Sequence, residues 1–587
     1  MAQLTPAWDR QFKDRKRRVD KGKRWAGSKE FAARHENKIY CLLLLASLVA
    51  LYAPFLSNPL VFDDLYFFLL DNEGNQPVSR YRFSLFQLRS LPHASLAWTK
   101  AWFGLDLINF RLGNLLLHAA VVLTLFFLLL KLFETVLTEH RGDALNPGPT
   151  AFFAALLFAL HPASTYAVAY LVQRTIVMAT LFSLLTMLLY VHGSLRHKSL
   201  WRWLCVPFYF LAVTSKEHAI MLPAVLVALT VLLHEDWRAK LKQSLALFSC
   251  LGLIAVYAVL ARKDLLGSVY EITGSELLQQ NESQLAYPLS VLTQCWLFFK
   301  YALLWALPNT ARMSIDMREP FAQSLLSAYL IAALGFAAWG VGACWLLLKR
   351  GKVGLLGFAL LFPWLMFFTE FSSVRIQEVF VLYRSYLWAV GAFCLLPLLL
   401  SRLSRRLALS LLSLVALTMF PLSMGRLLTF SHPVLLWDDA EKLVKNHLEL
   451  PGVSRIYYNR GTELIHLGML DLAVADLKQS VALSPDFSEA HGNLGAAYFQ
   501  KEDWPHALAS FSASIEVARS KGKPANTRSI HGRAQTFEKM GQLQKAQQDY
   551  QESCRLANRG CEKLSPVAPI SSASAPQSPA PSPAHHD

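Results

Sequence analysis

The sequence predicts an all-α protein: a polytopic helical membrane unit followed by a short solenoid of helical repeats. The first observation is composition, because 54% of the 587 residues are apolar and only 17% are charged, unlike a soluble globular protein. The second is a series of apolar segments long enough to cross, or partly cross, a bilayer. The third is an internal repeat in the last third of the chain.

Charged residues beside the apolar segments set the expected topology. Basic residues crowd the region 10–38, ahead of the first apolar segment and without a cleavable signal-peptide pattern. Because positively charged flanks stay in the cytoplasm, the N-terminus is predicted to be cytoplasmic and Asp63 and Asp64 to lie outside. The net charge of +16 is then explained by contact with the lipid bilayer, and no nucleic-acid partner is expected. The apolar segments include 40–56, 115–133, 181–191, 221–233 and 245–260.

One apolar segment does not fit a simple alternation of sides. Segment 288–307 follows an expected outer loop at 262–287, and a second apolar segment separates it from a basic, cytoplasmic connector at 349–352. We expect 288–307 to lie at the membrane interface or to re-enter, because Lys300 interrupts it and its aromatic residues suit an interface. The outcome is about 11 transmembrane helices, with everything after Arg426 on the outer side.

The internal repeat has a period of about 34 residues, the length of a tetratricopeptide unit. Small residues at its Gly and Ala positions let paired helices approach, and larger residues fill the seams. Three repeats form a short solenoid whose concave face suits a protein or peptide partner. The matching positions are Gly461, Ala473, Leu477 and Pro485 in the first copy, Gly495, Ala507 and Phe511 in the second, and Ala534, Ala546 and Tyr550 in the third.

These patterns divide the chain into four regions. Residues 1–38 form a basic cytoplasmic segment, 39–430 a transmembrane domain, and 431–563 a tetratricopeptide domain. Residues 564–587 are rich in Pro, Ser and Ala, which is the composition of a disordered tail.

The cysteines and acidic residues indicate neither a metal nor a cofactor. Of the 8 cysteines, all but Cys554 and Cys561 fall in or near apolar segments, where they suit small core residues. These two lie in the region expected outside, where a disulfide is possible. The acidic residues are scattered and no His cluster has the spacing of a metal site, so no metal is expected.

A colinear set of short motifs runs along most of the chain, roughly from Tyr52 to Tyr550. The motifs are Phe62-Asp63-Asp64, Trp102-Phe103-Gly104-Leu105, Asn114-Leu115-Leu116-Leu117-His118, Leu160-His161-Pro162, Ala167-Val168-Ala169 with Arg174, Ser215-Lys216-Glu217, Leu222-Pro223, Ser314-Ile315-Asp316, Glu370 with Ser372-Ser373, Ile376-Gln377, Arg384-Ser385-Tyr386-Leu387 and Trp437. In this order they resemble the TMTC-type family, the transmembrane and tetratricopeptide-containing proteins. The resemblance implies a GT-C fold and a glycosyltransferase that takes a sugar from a polyprenyl phosphate on the non-cytoplasmic side.

The chain departs from the family pattern at three points. Tyr166 stands where the family has an acidic residue, and Leu382 and Tyr383 replace the acidic–His pair before Arg384. Three repeats are far fewer than eukaryotic members have. The resemblance therefore implies a bacterial-type member in the cell inner membrane, with a cytoplasmic N-terminus and periplasmic repeats.

The expected function is transfer of a monosaccharide from a polyprenyl-phosphate carrier, such as undecaprenyl phosphate, to a protein. A protein acceptor, for example a secreted or pilus-type protein, is favoured because the repeats stand on the side of the active site. Two alternatives stay open: transfer to a lipid-linked glycan, and a non-catalytic membrane anchor that presents the repeats as a scaffold. A transporter is disfavoured because the sequence shows no paired halves with broken mid-membrane helices.

Two adjacent carboxylates, Asp63 and Asp64, are the expected catalytic residues. Carboxylates at a bilayer edge cost desolvation, and a sugar acceptor needs a base within reach of its hydroxyl. Asp64 is preferred by its motif position. The alternative role of the pair is a helix cap or a solvated turn.

Cations near the outer ends of spans are expected to bind the donor phosphate, because the leaving phosphate gains charge. The resemblance favours Arg384, followed by Arg174 and Lys216. The alternatives are snorkelling, or ion pairs of Lys216 with Glu217 and of Arg384 with Glu378.

Four further residues are secondary candidates for substrate binding. By its motif, His161 would orient the acceptor or the donor phosphate, and its alternative is a loop histidine bonded within the protein. Glu217, Glu370 and Asp316 are acidic candidates, and structural pairing is their alternative.

Overall fold

The computed structural model describes residues 35–68, 77–137, 146–261, 285–376, 378–524 and 526–564. Outside these ranges lie several sequence predictions: the basic segment before residue 35, most of the outer loop at 262–287, the motif residue Gln377 and the tail after residue 564. The described ranges are helical, as predicted, and a β-bridge joins Met317 and Phe380.

The chain divides into two compact units, 1–453 and 454–587. The division falls after the boundary expected near residue 430, so helix Pro433–Val444 belongs to the first unit. The reason is packing, because Trp437 of that helix is buried and its ring lies 5.2 Å from the ring of Phe62.

The first unit is a succession of largely apolar helices, some of which begin with a polar cap. Asp106 accepts a hydrogen bond from the backbone N–H of Ile108, and Ser404 accepts one from Leu407, so both cap the helices that follow them. In chain order the helices are α1 (His35–Phe55), α2 (Asp63–Phe68), α3 (Ser90–Phe103), α4 (Leu107–Val136), α5 (Pro147–Ala159), α6 (Pro162–Val168), α7 (Arg174–Leu195), α8 (Ser199–Trp203), α9 (Cys205–Ser215), α10 (Leu222–Leu233), α11 (Trp237–Gln243), α12 (Leu245–Ala261), α13 (Ala286–Ala306), α14 (Ala328–Leu348), α15 (Gly351–Phe367), α16 (Ser385–Ala389), α17 (Leu396–Leu400), α18 (Arg405–Thr429) and α19 (Pro433–Val444).

Eight of the described helices are long and apolar enough to cross a membrane, or up to 10 if each of two bent pairs is one span. The pairs are α5 with α6, bent by 63°, and α11 with α12, bent by 68°. A shorter apolar segment, Glu217–Leu233, lies beside them. These helices indicate a membrane protein, while the expected number of crossings stays a prediction.

The segment expected to lie at the interface instead forms the continuous helix α13, which has the length and composition of a span. The charge of Lys300 does not interrupt it, because its Nζ lies 2.5 Å from Glu319 Oε2. A long lysine stem can lie along an apolar helix while its ammonium group finds a partner beyond it. The helix therefore continues through Lys300, and whether it crosses the membrane or lies at the interface stays a prediction.

Glycine permits a close contact between α14 and α15. A Cβ atom on Gly357 of α15 would lie 2.2 Å from the backbone nitrogen of Leu347 in α14. Because apolar side chains gain nothing by leaving lipid for another apolar surface, such backbone-to-backbone approach is a main source of helix association in membranes.

The second unit contains three helix pairs, as the repeat pattern predicted. Gly461 and Gly495 face Leu477 and Phe511 at distances that leave no room for a side chain. A disulfide joins Cys554 and Cys561, the pair that the sequence placed in an oxidising space. The helices are α20 (Val453–His466), α21 (Leu470–Leu483), α22 (Ser488–Gln500), α23 (Trp504–Ser520), α24 (Thr527–Lys539) and α25 (Leu543–Ala557).

Candidate functional site

The Phe62-Asp63-Asp64 motif forms a constrained turn at the start of α2. Phe62 has a φ of 52°, a left-handed conformation that is uncommon for a bulky residue and costs about 1–3 kcal/mol. Its ring stacks on Tyr170 at 6.0 Å and meets the edge of Trp437 at 5.2 Å. Packing on both sides therefore maintains the turn that sets the direction of the two carboxylates.

Asp64 is fully buried and points into the protein. Its Oδ1 accepts a hydrogen bond of 3.0 Å from the backbone N–H of Val172, and its Oδ2 accepts one of 3.3 Å from Leu171. Burial raises the pKa of Asp64 to about 7, although the guanidinium of Arg111 and these two N–H groups oppose the rise. Both carboxylate oxygens are thus used to join the first outer loop to the turn before α7.

Arg111 fixes the same loop from a second direction. Its guanidinium donates to the carbonyls of Asn58 at 2.9 Å, Ala169 at 2.7 Å and Pro59. Arg111 itself comes from α4, so the motif is held between the end of α1, α4 and the turn that follows α6.

Asp63 is exposed and stands next to Tyr170. Its backbone N–H donates to the Tyr170 hydroxyl at 3.1 Å. Burial and the charges of the neighbouring carboxylates raise the pKa of Tyr170 well above its ordinary value, so this phenol stays protonated. The side chain of Asp63 is therefore accessible and that of Asp64 is buried, whereas motif position favours Asp64, and which of the two reacts stays a prediction.

Lys216 lies beside this turn, between Gln173 and Tyr383. Its Nζ donates to Gln173 Oε1 at 2.9 Å and sits 4.9 Å from the centre of the Tyr383 ring. Within the described ranges Lys216 contacts no carboxylate at ion-pair distance, and burial with the nearby cation Arg89 lowers its pKa well below the ordinary value. A buried amine in this setting gains most from an arriving anion.

Arg384 belongs to a buried network of charges. It lies 3.4 Å from Glu370 Oε2 and 3.1 Å from Glu378 Oε2, and Glu370 also accepts from His218 Nε2 at 3.1 Å. The expected pairing of Arg384 with Glu378 is therefore observed. Glu370 joins three basic side chains, those of Arg384, His218 and Arg375, as its structural alternative required. Glu378 is the more accessible of the two carboxylates.

Glu217 pairs with Arg89 and not with Lys216. The Arg89 guanidinium binds both carboxylate oxygens, with Nε at 3.2 Å from Oε2 and Nη2 in close contact with Oε1. Arg89 adopts a φ of 60°, so a second left-handed residue supports this region. The expected pair of Lys216 with Glu217 is not formed.

Arg174 is near the motif but its donors are already bound. Nε donates to Asn114 Oδ1 at 2.7 Å, Nη2 to the Phe110 carbonyl at 2.8 Å, and Nη1 to Ser95 Oγ at 3.2 Å. A Cβ atom on Gly113 would lie 2.7 Å from the same guanidinium. The structure gives Arg174 the contacts of a buried structural residue.

His161 is likewise bonded within the protein. Its Nδ1 accepts from the backbone N–H of Ala163 at 3.1 Å, so it caps α6, and its Nε2 donates to the Trp305 carbonyl at 3.2 Å. The Trp305 ring stacks on it at 4.2 Å. This capping histidine, with Pro162 after it, marks the 63° bend between α5 and α6.

Asp316 pairs with Arg318 at 2.5 Å, and both side chains are buried. Arg318 Nη1 also donates to the Pro451 carbonyl at 3.3 Å. These contacts favour structural pairing for Asp316. In the described part of the chain no group of three or more metal-ligating side chains comes together.

Sequence reasoning missed several members of the site. Tyr170 and Gln173 carry no chemical motif, and Arg89 lies in a loop far from the residues it contacts. One sequence feature could have identified Tyr383, because it stands where the family pattern has a different residue type. For Arg375 the sequence offers no such feature beyond its charge. Tyr170 and Gln173 belong to one turn, and tertiary packing brings that turn to the other three residues.

Comparisons with known proteins point in one direction. Two family models described as tetratricopeptide repeat match residues 454–487 and 486–559. The Mus musculus protein "Protein O-mannosyl-transferase TMTC2" is 35% identical over 150 residues, which are 24% of this chain and 16% of that protein. The Xenopus laevis "Protein O-mannosyl-transferase tmtc2" is 33% identical over 173 residues, 29% of this chain and 18% of that protein.

A third relative, "Protein O-mannosyl-transferase F38B6.6" of Caenorhabditis elegans, is 26% identical over 147 residues, 25% of this chain and 19% of that protein. The matches therefore span less than a fifth of the length of these curated relatives. Together the comparisons confirm the resemblance drawn from the motifs: this chain is similar to TMTC-type proteins and carries tetratricopeptide repeats.

Proposed function

We propose that this protein is a membrane glycosyltransferase of the GT-C type, which moves a monosaccharide from a polyprenyl-phosphate carrier to a protein. The reaction takes place at the outer, periplasmic surface of the inner membrane. The names of the relatives make a hexose such as mannose the first sugar to test.

One observation supports this proposal above the others: an exposed carboxylate lies beside buried cations. Asp63 adjoins Tyr170, whose ring lies 6.1 Å from that of Tyr383, and Tyr383 in turn contacts Lys216 and Arg384. Transfer from a sugar phosphate needs a base for the acceptor and positive charge for the leaving group. This arrangement supplies both within one group of side chains.

The proposed reaction assigns one task to each end of the group. The acceptor hydroxyl oxygen forms a bond to the anomeric carbon, and the bond from that carbon to the phosphate oxygen breaks. The hydroxyl proton passes to the carboxylate of Asp63. Polyprenyl phosphate leaves with its additional charge near Lys216 and Arg384, where cations stabilise it.

Asp64 acts in this proposal as a positioning residue. It touches no substrate, because both of its oxygens accept backbone N–H groups of the turn before α7. Its contribution is to fix the backbone from which Asp63 projects, since small displacements of a catalytic group cost large factors in rate.

The repeats are proposed to bind the acceptor protein or a partner that delivers it. A cavity of about 420 Å³ lies on the repeat unit, lined by polar and aromatic side chains that include Asn493, Phe499, Arg528 and His531. Such a lining suits an extended peptide, whose backbone offers donors and acceptors to amide side chains.

Glycopeptide and intact-protein mass spectrometry of secreted and surface proteins tests the proposal. Cells would carry the wild-type chain, a deletion, or single variants Asp63→Asn, Asp64→Asn and Glu134→Gln at equal abundance in the membrane. Glu134 is a half-exposed carboxylate on α4 that pairs with Lys131 at 3.7 Å. Removing a general base lowers the rate roughly a hundredfold to ten-thousandfold, so Asp63→Asn and the deletion should lose the same sugar mass.

Three results have distinct meanings. Retention of the sugar in Glu134→Gln together with its loss in Asp63→Asn would support the assigned base. A sugar lost in the deletion but retained in Asp63→Asn would contradict that assignment and point to another base. No change in any protein of the deletion strain would contradict a protein acceptor, leaving a lipid-linked glycan or a scaffold role.

A further inference from the structure

A small polar cavity lies at the C-terminal end of α7, away from the turn that binds Asp64. It has a volume of about 70 Å³ and is enclosed by the ends of α7, α8, α10 and α11. Its side chains include Tyr190, Arg202, His234, Lys240 and Ser244. The proposed reaction uses none of them.

The lining of this cavity is positively charged. Arg202, Lys240 and the imidazoles of His197 and His234 all line the cavity. No carboxylate is among the described residues that line it. Burial and the charge of Lys240 lower the pKa of His234, as expected beside uncompensated positive charge.

The donors of Arg202 are poorly satisfied for an arginine in this position. Its Nε atom is buried without a hydrogen-bond partner in the described part of the chain, and its Nη1 reaches Ser244 Oγ only at 3.5 Å. A Cβ atom on Gly193 would lie 2.6 Å from the Arg202 backbone nitrogen. Close packing against α7 therefore fixes the backbone of Arg202, while its guanidinium keeps donors available.

Nearby carboxylates do not neutralise the cavity. Asp236 lies 3.7 Å from Lys240, but its side chain is 57% exposed, and such exposed pairs contribute little. Glu235 is 90% exposed and faces Arg350 at 3.4 Å. Both carboxylates therefore belong to the solvent-exposed rim.

The surroundings of the cavity are those of a membrane surface. Trp201 and Trp203 are 37% and 44% exposed on the short helix that carries Arg202, and Leu245, at the start of α12, is 68% exposed. Tryptophan concentrates where the headgroups meet the hydrocarbon. Arg202 and Lys240 thus stand at the depth of lipid phosphates.

We propose that this cavity binds the phosphate of an anionic phospholipid headgroup. A water molecule needs roughly 10–15 Å³ of such volume, so a cavity of about 70 Å³ accommodates a phosphate-sized group. Arg202 and Lys240 supply charge-assisted hydrogen bonds, Ser244 a hydroxyl, and the adjacent tryptophans a contact for the glycerol and the first methylenes.

Native mass spectrometry of the delipidated full-length protein tests the site. The protein would be titrated with phosphatidylglycerol and with zwitterionic phosphatidylcholine of the same acyl chains, and inorganic phosphate would be added in excess as a competitor. We expect a preference for phosphatidylglycerol that the double variant Arg202→Gln/Lys240→Gln lowers roughly ten- to thirtyfold. Arg405→Gln, which removes an exposed charge at the start of α18 outside the cavity, should bind as the wild type does.

The controls keep the result interpretable. Ser244→Ala, a smaller change, should weaken phosphatidylglycerol binding without altering the folded fraction, and Arg202→Lys should retain most of it. Equal binding of the two lipids, or equal losses in Arg405→Gln and the double variant, would overturn the proposal. Tighter binding of inorganic phosphate than of phosphatidylglycerol would overturn the lipid as the source of the anion.

Discussion

At the scale of single residues, Asp63 and Asp64 differ in their surroundings and therefore in what they can do. Asp63 is exposed beside a tyrosine hydroxyl, whereas Asp64 is buried and accepts two backbone N–H groups. Because the carboxylate of Asp64 is buried and holds the turn before α7, an acceptor hydroxyl outside the protein cannot reach it. In the proposed reaction Asp63 therefore supplies the reactive group and Asp64 a structural connection.

The raised pKa of Asp64 predicts a pH dependence of stability. Its pKa in the folded protein is about 7, above the unperturbed 3.8, so folding favours the protonated acid. Between about pH 4 and pH 7 unfolding releases this proton, and the contribution of Asp64 to the free energy of unfolding falls as the pH rises. Thermal unfolding in detergent should show a slope in this range that Asp64→Asn flattens.

Asp63→Asn is the matched control for that slope. It removes a neighbouring carboxyl but leaves Asp64 ionisable, so the fall in stability between about pH 4 and pH 7 should persist. Parallel curves for the wild type and Asp64→Asn would contradict the assignment of the slope to Asp64.

We expect Arg174 to be a structural cation and Lys216 to be a substrate-binding cation. Arg174→Gln breaks hydrogen bonds of a buried charged group and should lower the free energy of unfolding by about 2–5 kcal/mol, with little change in the donor KM of the folded enzyme. Lys216→Gln loses one hydrogen bond to Gln173 and should raise the donor KM with a smaller loss of stability. Transfer kinetics and thermal unfolding on the same preparations measure both quantities.

One result would contradict a structural role for Arg174. An unchanged unfolding temperature together with a raised donor KM would restore it as a phosphate-binding residue. Its hydrogen bonds to Asn114 and Phe110 would then have to open when the donor binds.

The sequence identified Asp63 and Asp64 as candidate residues but did not predict which of the two is exposed. The adjacent carboxylates and the pairing of Arg384 with Glu378 followed from local spacing and charge. Local spacing and charge did not predict which carboxylate is exposed. The burial of Asp64 depends on the backbone amides of Leu171 and Val172, which lie more than a hundred positions along the chain. No local pattern records a contact of that kind.

At the scale of secondary-structure elements, the repeats differ at one ion pair, which two of them have and the middle one lacks. In the third repeat Arg533 binds both oxygens of Asp549, at 2.7 and 2.8 Å, and the first repeat has the same pair in Arg460 and Asp476. The equivalent positions of the middle repeat, in the register of Gly495 with Ala534, are leucine and serine. Replacement of the whole ion pair by uncharged residues is therefore compatible with this helix packing.

We predict that Asp549→Ser alone destabilises the third repeat by roughly 1–3 kcal/mol, because it removes the carboxylate that Arg533 binds. The double variant Arg533→Leu/Asp549→Ser, which copies the middle repeat, should recover most of this loss. Amide hydrogen exchange of α24 and α25 in the full-length protein measures the local stability. A double variant no more protected than the single one would contradict the prediction.

Element prediction succeeded where periodicity is strong and was weaker where it depended on a single charge. The glycine, alanine and aromatic spacing predicted the helix pairs of the repeats. Lys300 led to an expected break in an apolar segment, yet its ammonium reaches Glu319 and α13 continues. Side-chain length, which lets a charge leave an apolar surface, is invisible to a hydropathy pattern.

At the scale of the whole molecule, the predicted topology can be tested through the disulfide. If the repeats lie outside the cytoplasm, Cys554 and Cys561 should react with a membrane-impermeant maleimide in intact spheroplasts only after a reductant is added. Cys554→Ser should make Cys561 reactive without reductant. Labelling only after the membrane is opened would place the repeats in the cytoplasm and contradict the topology.

Composition and apolar segments predicted the whole-molecule architecture, an all-helical membrane unit followed by helical repeats. The extent of each unit was harder to predict, because α19 reads as a soluble amphipathic helix and yet its Trp437 is buried against Phe62. The boundary in space follows buried contacts, and these are not visible in composition.

Helix α7 with the turn before it, residues Leu171–Leu195, places a constraint on how this chain can change length. Its first amides bind Asp64 and its last turns line the cavity of Arg202. Inserting a single residue within the helix would rotate everything beyond it by about 100° and shift it by about 1.5 Å, so one of these two ends would lose its register. Natural relatives should accordingly vary in the lengths of their loops while this one helix keeps a fixed number of residues.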